Sequence, residues 1–391
     1  MTETPRAAWR RMTALSRKHL SSLKDGPGLV VSLYVNLDPT TFAVPSARET
    51  EVQAVVDAAR AEAHDAWGTL DHEGRQALED DLERAHSYLL KDLAPDGAGA
   101  VALFVSTQHR MFDAFTLAPT VPAQGRARNQ AYIRPLFEIH PSPDFAILAI
   151  DRRWAHVLVS RGGRSLHQVA EIESRARSHH KRSWLEGAVD NDTEQHVKKT
   201  AMRLHEIHRA RPLEALVLAC TEELMPVVER RLDAATQPLL LGRIPWDPQQ
   251  DDPVDLAHAA KPLIRERERR QEEALLERLQ QQVGSDAGAV GFDAVLDALN
   301  RKAVETLLLD PGVEAAGAVC GACGWLARRP GDCPACGQLM TQQQDLVEYM
   351  LRRALEQAAD VRFVAFVPPH RGEPAHLAAV LRDYRTTNDA A

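Results

Sequence analysis

Cysteine is scarce in this 391-residue chain, and so are aromatic residues: there are five cysteines, and Phe, Trp and Tyr together make up 5%. Four of the five cysteines fall in two Cys-x-x-Cys pairs, a pattern that argues against a disulfide-stapled secreted fold and for metal ligation. Long apolar runs are missing too. Stretches such as Leu29 to Val35 and Phe145 to Ile150 fall far short of the roughly 20 residues a membrane-spanning helix needs. Met1 to Arg11 is polar and basic with no apolar stretch behind it, so no secretory signal and a cytoplasmic location are expected. The chain also lacks the phosphate-binding loop G-x-x-x-x-G-K-S/T, a G-x-G-x-x-G after a strand, a G-x-S-x-G elbow and an H-E-x-x-H helix. The common nucleotide-binding and hydrolase signatures are therefore absent, and no catalytic residue is assigned.

What is present is charge, unevenly spread. The net charge is −8, yet residues 175–211 hold nine Lys or Arg against five acids, with five histidines among them. Residues 47–96 carry the opposite balance, thirteen acids against five bases. A globally acidic chain with a basic segment suits either nucleic-acid contact on one face or simply solvated helix faces.

Hydrophobic periodicity gives an α/β fold class. Leu29–Asn36, Ala100–Ser106 and Met111–Leu117 read as strands, and 47–66 and 72–93 as helices. Pro119 to Arg128, with two prolines, a glycine and two arginines, reads as a linker. Three strands follow at Phe145–Ile150, Ala155–Ser160 and Leu166–Ile172, with Gly162-Gly163 as a hairpin turn. A polar stretch, Ser174 to Asn191, leads into a helix with the apolar stripe Val197, Ala201, Leu204 and Ile207. Strand Glu214–Cys220, helix Glu222–Ala235 and strand Pro238–Arg243 continue the alternation, before a long charged helix over 254–282. The last third reads helix Phe292–Leu299, strand Val304–Leu309, helix Gln342–Ala358, strand Val361–Val367 and an edge strand His376–Leu381.

Two groups of residues carry chemistry. Cys320, Cys323, Cys333 and Cys336 form two turns nine residues apart, each followed by a glycine that permits the tight bend. Four soft thiolates in this pattern fit one structural zinc ion in a ribbon over 318–340, with no open position for catalysis. The flanking strands are expected to stay folded without it. Cys220 lies in an apolar strand and reads as an inert core thiol. The second group is Lys181, Arg182, Lys198, Lys199 and Arg203, a basic loop feeding a basic helix. Lys199 and Arg203 are helical neighbours, off the Val197 stripe. The group suits either a phosphate backbone or simple solvation. His179, His180, His196, His205 and His208 cluster here as well. His205 and His208 could share a metal, but solvent-facing or capping roles are the simpler account of them.

The ordered set of features resembles the class-one peptide-chain release factors of archaea and eukaryotes, and more closely the bacterial archaeo-eukaryotic release factor-like families. Gly28 to Pro39 and Ala100 to Ser106 look like strands of their first domain. Pro135-Leu-Phe-Glu-Ile, Phe145 to Asp151 and Gly162-Gly163 look like the start of the middle domain. Phe292 to Leu309 and Ala378 to Tyr384 look like the entry and closing strand of an L7Ae-like third domain, where archaeal members also carry a zinc ribbon. The resemblance implies three domains: an N-terminal α/β domain at 1–128, a middle α/β domain with a mixed sheet at 129–270, and an L7Ae-like α/β domain at 271–391 with the zinc ribbon inserted. It also implies the ribosome and ribosomal RNA as partners, with tRNA and a translational GTPase as further candidates, and no membrane. True release factors carry Gly-Gly-Gln between the third strand and the long helix of the middle domain. The corresponding loop here, Ser174 to Asn191, contains no glutamine at all. The leading expectation is therefore a non-catalytic ribosome-binding factor in rescue, recycling or hibernation. One alternative is a peptidyl-tRNA hydrolase or tRNA-cleaving enzyme using Gln195, His179, His180 or Glu194 instead. Another is an RNA- or protein-interaction module outside translation.

Overall fold

The fold is taken from a computed structural model, which describes residues 10–11, 19–20, 28–37, 45–65, 68, 70–91, 98–117, 120–138, 143–161, 166–174, 191–246, 252–284, 288–364, 367 and 375–382. The chain forms two compact units. One joins Met1–His140 with Glu272–Ala391, and the other is Pro141–Gln271.

The first sheet contains β1 (Arg10–Arg11), β2 (Val30–Asn36), β3 (Ala100–Ser106), β4 (Met111–Leu117) and β5 (Gln124–Arg128), in the order β1-β4-β3-β2-β5. Its pairs are antiparallel except β1 with β4. Strands β2 and β3 are apolar at almost every position because both faces are covered. Val31, Leu33, Val35, Val101, Leu103 and Val105 pack under helices α1 (Pro45–Asp65) and α2 (His72–Lys91). Val30, Tyr34, Ala102 and Phe104 point the other way, into a core continuous with the third sheet.

Strand β5 overturns the linker reading of Pro119 to Arg128. Its glycine made it look like loop, but Gly125 pairs with Leu33, and a Cβ there would lie 1.8 Å from the carbonyl oxygen of Val55 on α1. Glycine is required because helix and strand backbones touch, a contact between elements that local propensity cannot display. The segment that follows, assigned on resemblance to the middle domain, buries Ala131, Tyr132, Ile133, Leu136 and Phe137 in the core of the first unit. Residues 135–138 form a single turn, α3 (Pro135–Glu138).

The second unit holds the expected mixed sheet. It is built from β6 (Phe145–Ile150), β7 (Trp154–Ser160), β8 (His167–Glu173), β9 (Ala215–Ala219) and β10 (Leu240–Ile244), in the order β10-β9-β6-β7-β8. Strands β6, β9 and β10 run parallel, and β7 and β8 are antiparallel. The Gly162-Gly163 turn lies outside the described residues. Helix α4 (Asn191–Ala210) covers one face through Val197 and Leu204, and α6 (Pro253–Gly284) covers the other through Leu256, Ala260 and Ile264. The helix expected over 222–235 contracts to α5 (Met225–Glu229). Farther along, the Asp233 carboxylate accepts the N–H groups of Ala235 and Thr236, a local alternative to helix.

The third sheet has β11 (Gly288–Val290), β12 (Val304–Leu309), β16 (Asp360–Phe363) and β17 (Leu377–Leu381), in the order β11-β17-β12-β16. Strand β17 is not an edge strand. It pairs with both β11 and β12, and Leu377 to Val380 are fully buried. Helices α7 (Phe292–Asn300) and α8 (Leu346–Glu356) pack on one face. Between β12 and α8 the chain makes a three-stranded ribbon of β13 (Gly317–Val319), β14 (Leu326–Ala327) and β15 (Thr341–Gln343). Among the described residues no helix is long and apolar enough to cross a membrane.

The α1–β5 contact yields a direct test. Gly125→Ala should destabilise the first unit by about 1–3 kcal/mol, the usual cost of overpacking, because the added methyl meets rigid backbone rather than a side chain that can turn aside. Urea denaturation measures it, and an unchanged midpoint would contradict this packing.

Candidate metal centre and nucleic-acid interface

The four ribbon cysteines converge. Their sulfurs all lie within 4.8 Å of one another, with Cys320 to Cys336 at 3.4 Å and Cys323 to Cys333 at 3.5 Å. Four thiolates around a metal at about 2.3 Å would stand about 3.8 Å apart, so the donor set fits a tetrahedral ion with little adjustment. The two turns are built alike. Gly324 (φ 72°) donates its N–H to the Cys320 carbonyl at 2.8 Å, and Gly337 (φ 73°) donates to Cys333 at 2.8 Å. Both glycines sit in the left-handed region that side chains resist. Cys320 and Cys333 are buried, while Cys323 and Cys336 face solvent.

Four sulfurs this close cannot all ionise without a cation among them. The backbone N–H of Cys323 draws the Cys320 thiol down to about 6, while desolvation at its sulfur and the neighbouring thiols push Cys323 up to about 12. A bound cation would reverse that opposition and release the remaining protons. Among the described residues this is the one cluster of metal-ligating side chains. Cys220 is separate from it, buried in the middle unit, where burial pushes its thiol up to about 11 and leaves it unreactive.

The basic group divides between described and undescribed residues. Lys181, Arg182, His179 and His180 lie outside the described residues. Lys198 and Lys199 are exposed on α4. Arg203, half exposed, is tied to Glu206 one turn on, at 2.7 Å. Lys199 and Arg203 border an open groove of about 930 Å³ between α4 and strand β8. Arg153, from the turn between β6 and β7, joins them there. Glu171, Glu173 and Glu206 share the walls. The groove is thus mixed in charge, and its basic and acidic side chains balance.

Among the described residues the histidines form no metal cluster. His205 pairs with Asp233, and the Nδ1 of His208 accepts the Leu213 N–H at 3.1 Å just beyond the helix end. Glu194 pairs with Arg231 at 2.8 Å, and Gln195 is exposed in the first turn of α4. His196 is different. It is buried, its ring nitrogens make no hydrogen bond of ordinary geometry, and burial lowers its pKa against the opposing pull of Trp154 backbone and Asp151.

His196 therefore folds in its neutral form. Below the ordinary imidazole value of 6.5 the unfolded chain takes up a proton that the folded chain resists. Its contribution to stability is complete above that pH and falls as the pH drops through the interval down to the lowered folded value. Urea denaturation at pH 7.5 and 5 should show a smaller loss in His196→Leu than in the parent. Equal losses in the two chains would contradict it.

Comparison with known proteins adds one positive match. The model of the bacterial archaeo-eukaryotic release factor family 3 matches residues 163–302, about a third of the chain, spanning β8, α4, α6 and the entry to the third sheet. No curated protein matches. Among solved structures, the archaeal translation termination factor aRF1 aligns at 16% identity over 95% of this chain and 99% of its own, with a TM-score of 0.25. Pelota of Archaeoglobus fulgidus aligns at 12% identity over 95% and 93%, with a TM-score of 0.33. Archaeal Pelota, in a model of its ribosome-bound complex with ABCE1, aligns at 13% over 96% and 95%, with a TM-score of 0.41. Superpositions this loose carry no argument of their own. The family match does, and it sustains the identification read from the residues: this chain resembles the bacterial archaeo-eukaryotic release factor-like family.

Proposed function

We propose that this protein is a translation-associated, release factor-like protein that binds the ribosome without hydrolysing peptidyl-tRNA, acting in ribosome rescue, recycling or hibernation. The observation that carries the reading is the family match over residues 163–302. Beside it stands the loop from Ser174 to Asn191, which offers no Gly-Gly-Gln and no glutamine. Of the substitutes named for a hydrolytic role, Glu194 is held by Arg231. Ribosomal RNA is the proposed partner of Lys181, Arg182, Lys198, Lys199 and Arg203. The two exposed lysines are best placed to act, since Arg203 already holds a carboxylate. Zinc is the metal proposed for the four cysteines, because a closed set of four thiolates suits it best and leaves no position for chemistry.

Two measurements test these readings. The purified protein should contain one zinc per chain, unchanged by Cys220→Ser and lost in Cys333→Ser. Protein purified without chelators that holds no zinc would refute the assignment. For the interface, co-sedimentation with ribosomes should weaken steeply as salt rises, since each phosphate contact releases counterions. Changing Lys198, Lys199 and Arg203 together to Ala should weaken binding and flatten the slope of log affinity against log salt by about 0.7–0.9 for each phosphate no longer neutralised. The helix should survive, because alanine is a strong helix former and these side chains lie off its buried stripe. A folded triple variant with unchanged affinity across the salt range would assign these residues to solvation.

A further inference from the structure

The ribbon is not a free-standing insertion. Its own core is small: Ala318, Cys320, Cys333 and Met340 are buried, with Trp325 and Ala327 partly so. Two of those four buried residues are metal ligands. So few apolar side chains cannot hold three short strands together without the ion.

What the ribbon touches matters more. Val319 and Leu326 belong to the main core of the first unit. The amide of Asn300 grips Leu326 from both sides, donating to its carbonyl and accepting its N–H, each at 2.9 Å. Helix α8 packs against the ribbon strands. Leu346 lies directly over Gly317, where a Cβ would stand 2.5 Å from a Leu346 methyl. The Arg353 guanidinium reaches toward the first cysteine turn, with Nη1 3.8 Å from where a Cβ on Gly324 would be. Strand β15 ends at Gln343, and Asp345, two residues on, is the N-cap of α8, accepting the Glu348 N–H at 3.3 Å.

That first turn of α8 is where the first sheet is docked. Asp345 faces Arg128 and Arg134, each at 3.5 Å. Glu348, fully buried, accepts the backbone N–H groups of Ile133 at 3.1 Å and Arg134 at 2.9 Å, and pairs with Arg352 at 3.1 Å. Arg352 in turn donates to the Ala131 carbonyl. Arg134 donates to the Val313 carbonyl at 2.8 Å, close before the ribbon begins. The cysteine turns, the register of β13 with β15, the first turn of α8 and the 131–134 segment thus form one continuous chain of contacts.

We propose that the metal at Cys320, Cys323, Cys333 and Cys336 governs the docking of the first sheet, by fixing the first turn of α8 against the 131–134 segment. Loss of the metal frees β15 and the N-cap, removes the fixed seat of Asp345 and Glu348, and releases Ala131 to Arg134. Neither sheet unfolds, because Met350, Leu351 and Ala354 keep the rest of α8 in its core and the first sheet has its own helices on its other face. This inference rests on metal ligation but not on ribosome binding.

Hydrogen exchange on the full chain tests it, comparing protein with bound zinc, protein stripped by a chelator, and stripped protein given zinc again. Stripping should speed exchange at the Ile133, Arg134 and Glu348 amides at least tenfold, while Leu103 in β3 and Leu307 in β12 stay protected. Zinc should restore the slow rates. Glu348→Gln should speed exchange at Ile133 and Arg134 while still holding one zinc per chain, which separates the docking contact from the metal. Slow exchange at Ile133 and Arg134 in protein shown by metal analysis to be stripped would overturn the proposal while leaving the zinc assignment intact. Loss of protection at Leu103 and Leu307 as well would also overturn it, since the metal would then support the whole unit. Failure to take up zinc at all would sink the metal reading and this inference together.

Discussion

The buried carboxylate of Glu348 is the constraint around which the first unit is arranged. A charge in that position is tolerable only with a full set of donors, and removing one partner of a buried pair typically costs about 3–5 kcal/mol. Here the donors are two backbone N–H groups from 131–134 and the guanidinium of Arg352. Burial above all, with the nearby Asp345 carboxylate, holds the Glu348 carboxyl above its ordinary value, against the downward pull of Arg352 and the two N–H groups. Each of these partners is a donor, so the ionised form is the one the site fits. Satisfying that carboxylate fixes where the chain leaving the first sheet must run. Tyr34 secures the same segment from the other side, its hydroxyl donating to the Tyr132 carbonyl at 2.5 Å. The apolar core then continues without a break from Phe104 to Leu351. The first and last parts of the sequence thereby share one compact unit, and the middle part forms its own.

The parts of this arrangement that were legible in the sequence are the parts held by neighbours in the sequence. Strands Ala100–Ser106, Met111–Leu117 and Val304–Leu309 coincide with their apolar runs. The Val197 and Leu204 stripe faces the core, as its spacing requires. The cysteine site was readable because each turn carries two ligands and its own glycine. What escaped depends on distant partners. Gly125 resembled a loop residue until α1 was seen to lie across it. His376–Leu381 resembled an edge strand because nothing local reveals that β11 covers its outer side. Glu348 falls inside the helix expected over Gln342–Ala358 with nothing to set it apart, and no local pattern shows that residues more than 200 positions away use it as an acceptor. Arg153 entered the groove for the same reason.

In the middle unit the same physics tempers the electrostatic picture. A basic count along the sequence says nothing about which charges are already answered. Arg203 has Glu206, and the groove beside it is lined by Glu171 and Glu173 as well as by Arg153 and Lys199. Lys198 is exposed on α4 outside the groove, whereas Lys199 is one of the bases that its three glutamates balance.

The most direct test of the ribosome-binding role is cryo-electron microscopy of the protein mixed in excess with purified bacterial ribosomes at low salt. The expected result is density for the chain bound to the ribosome, with helix Asn191–Ala210 laid against ribosomal RNA. Ribosome particles without that density at saturating protein, or density with that helix turned away from RNA, would contradict it.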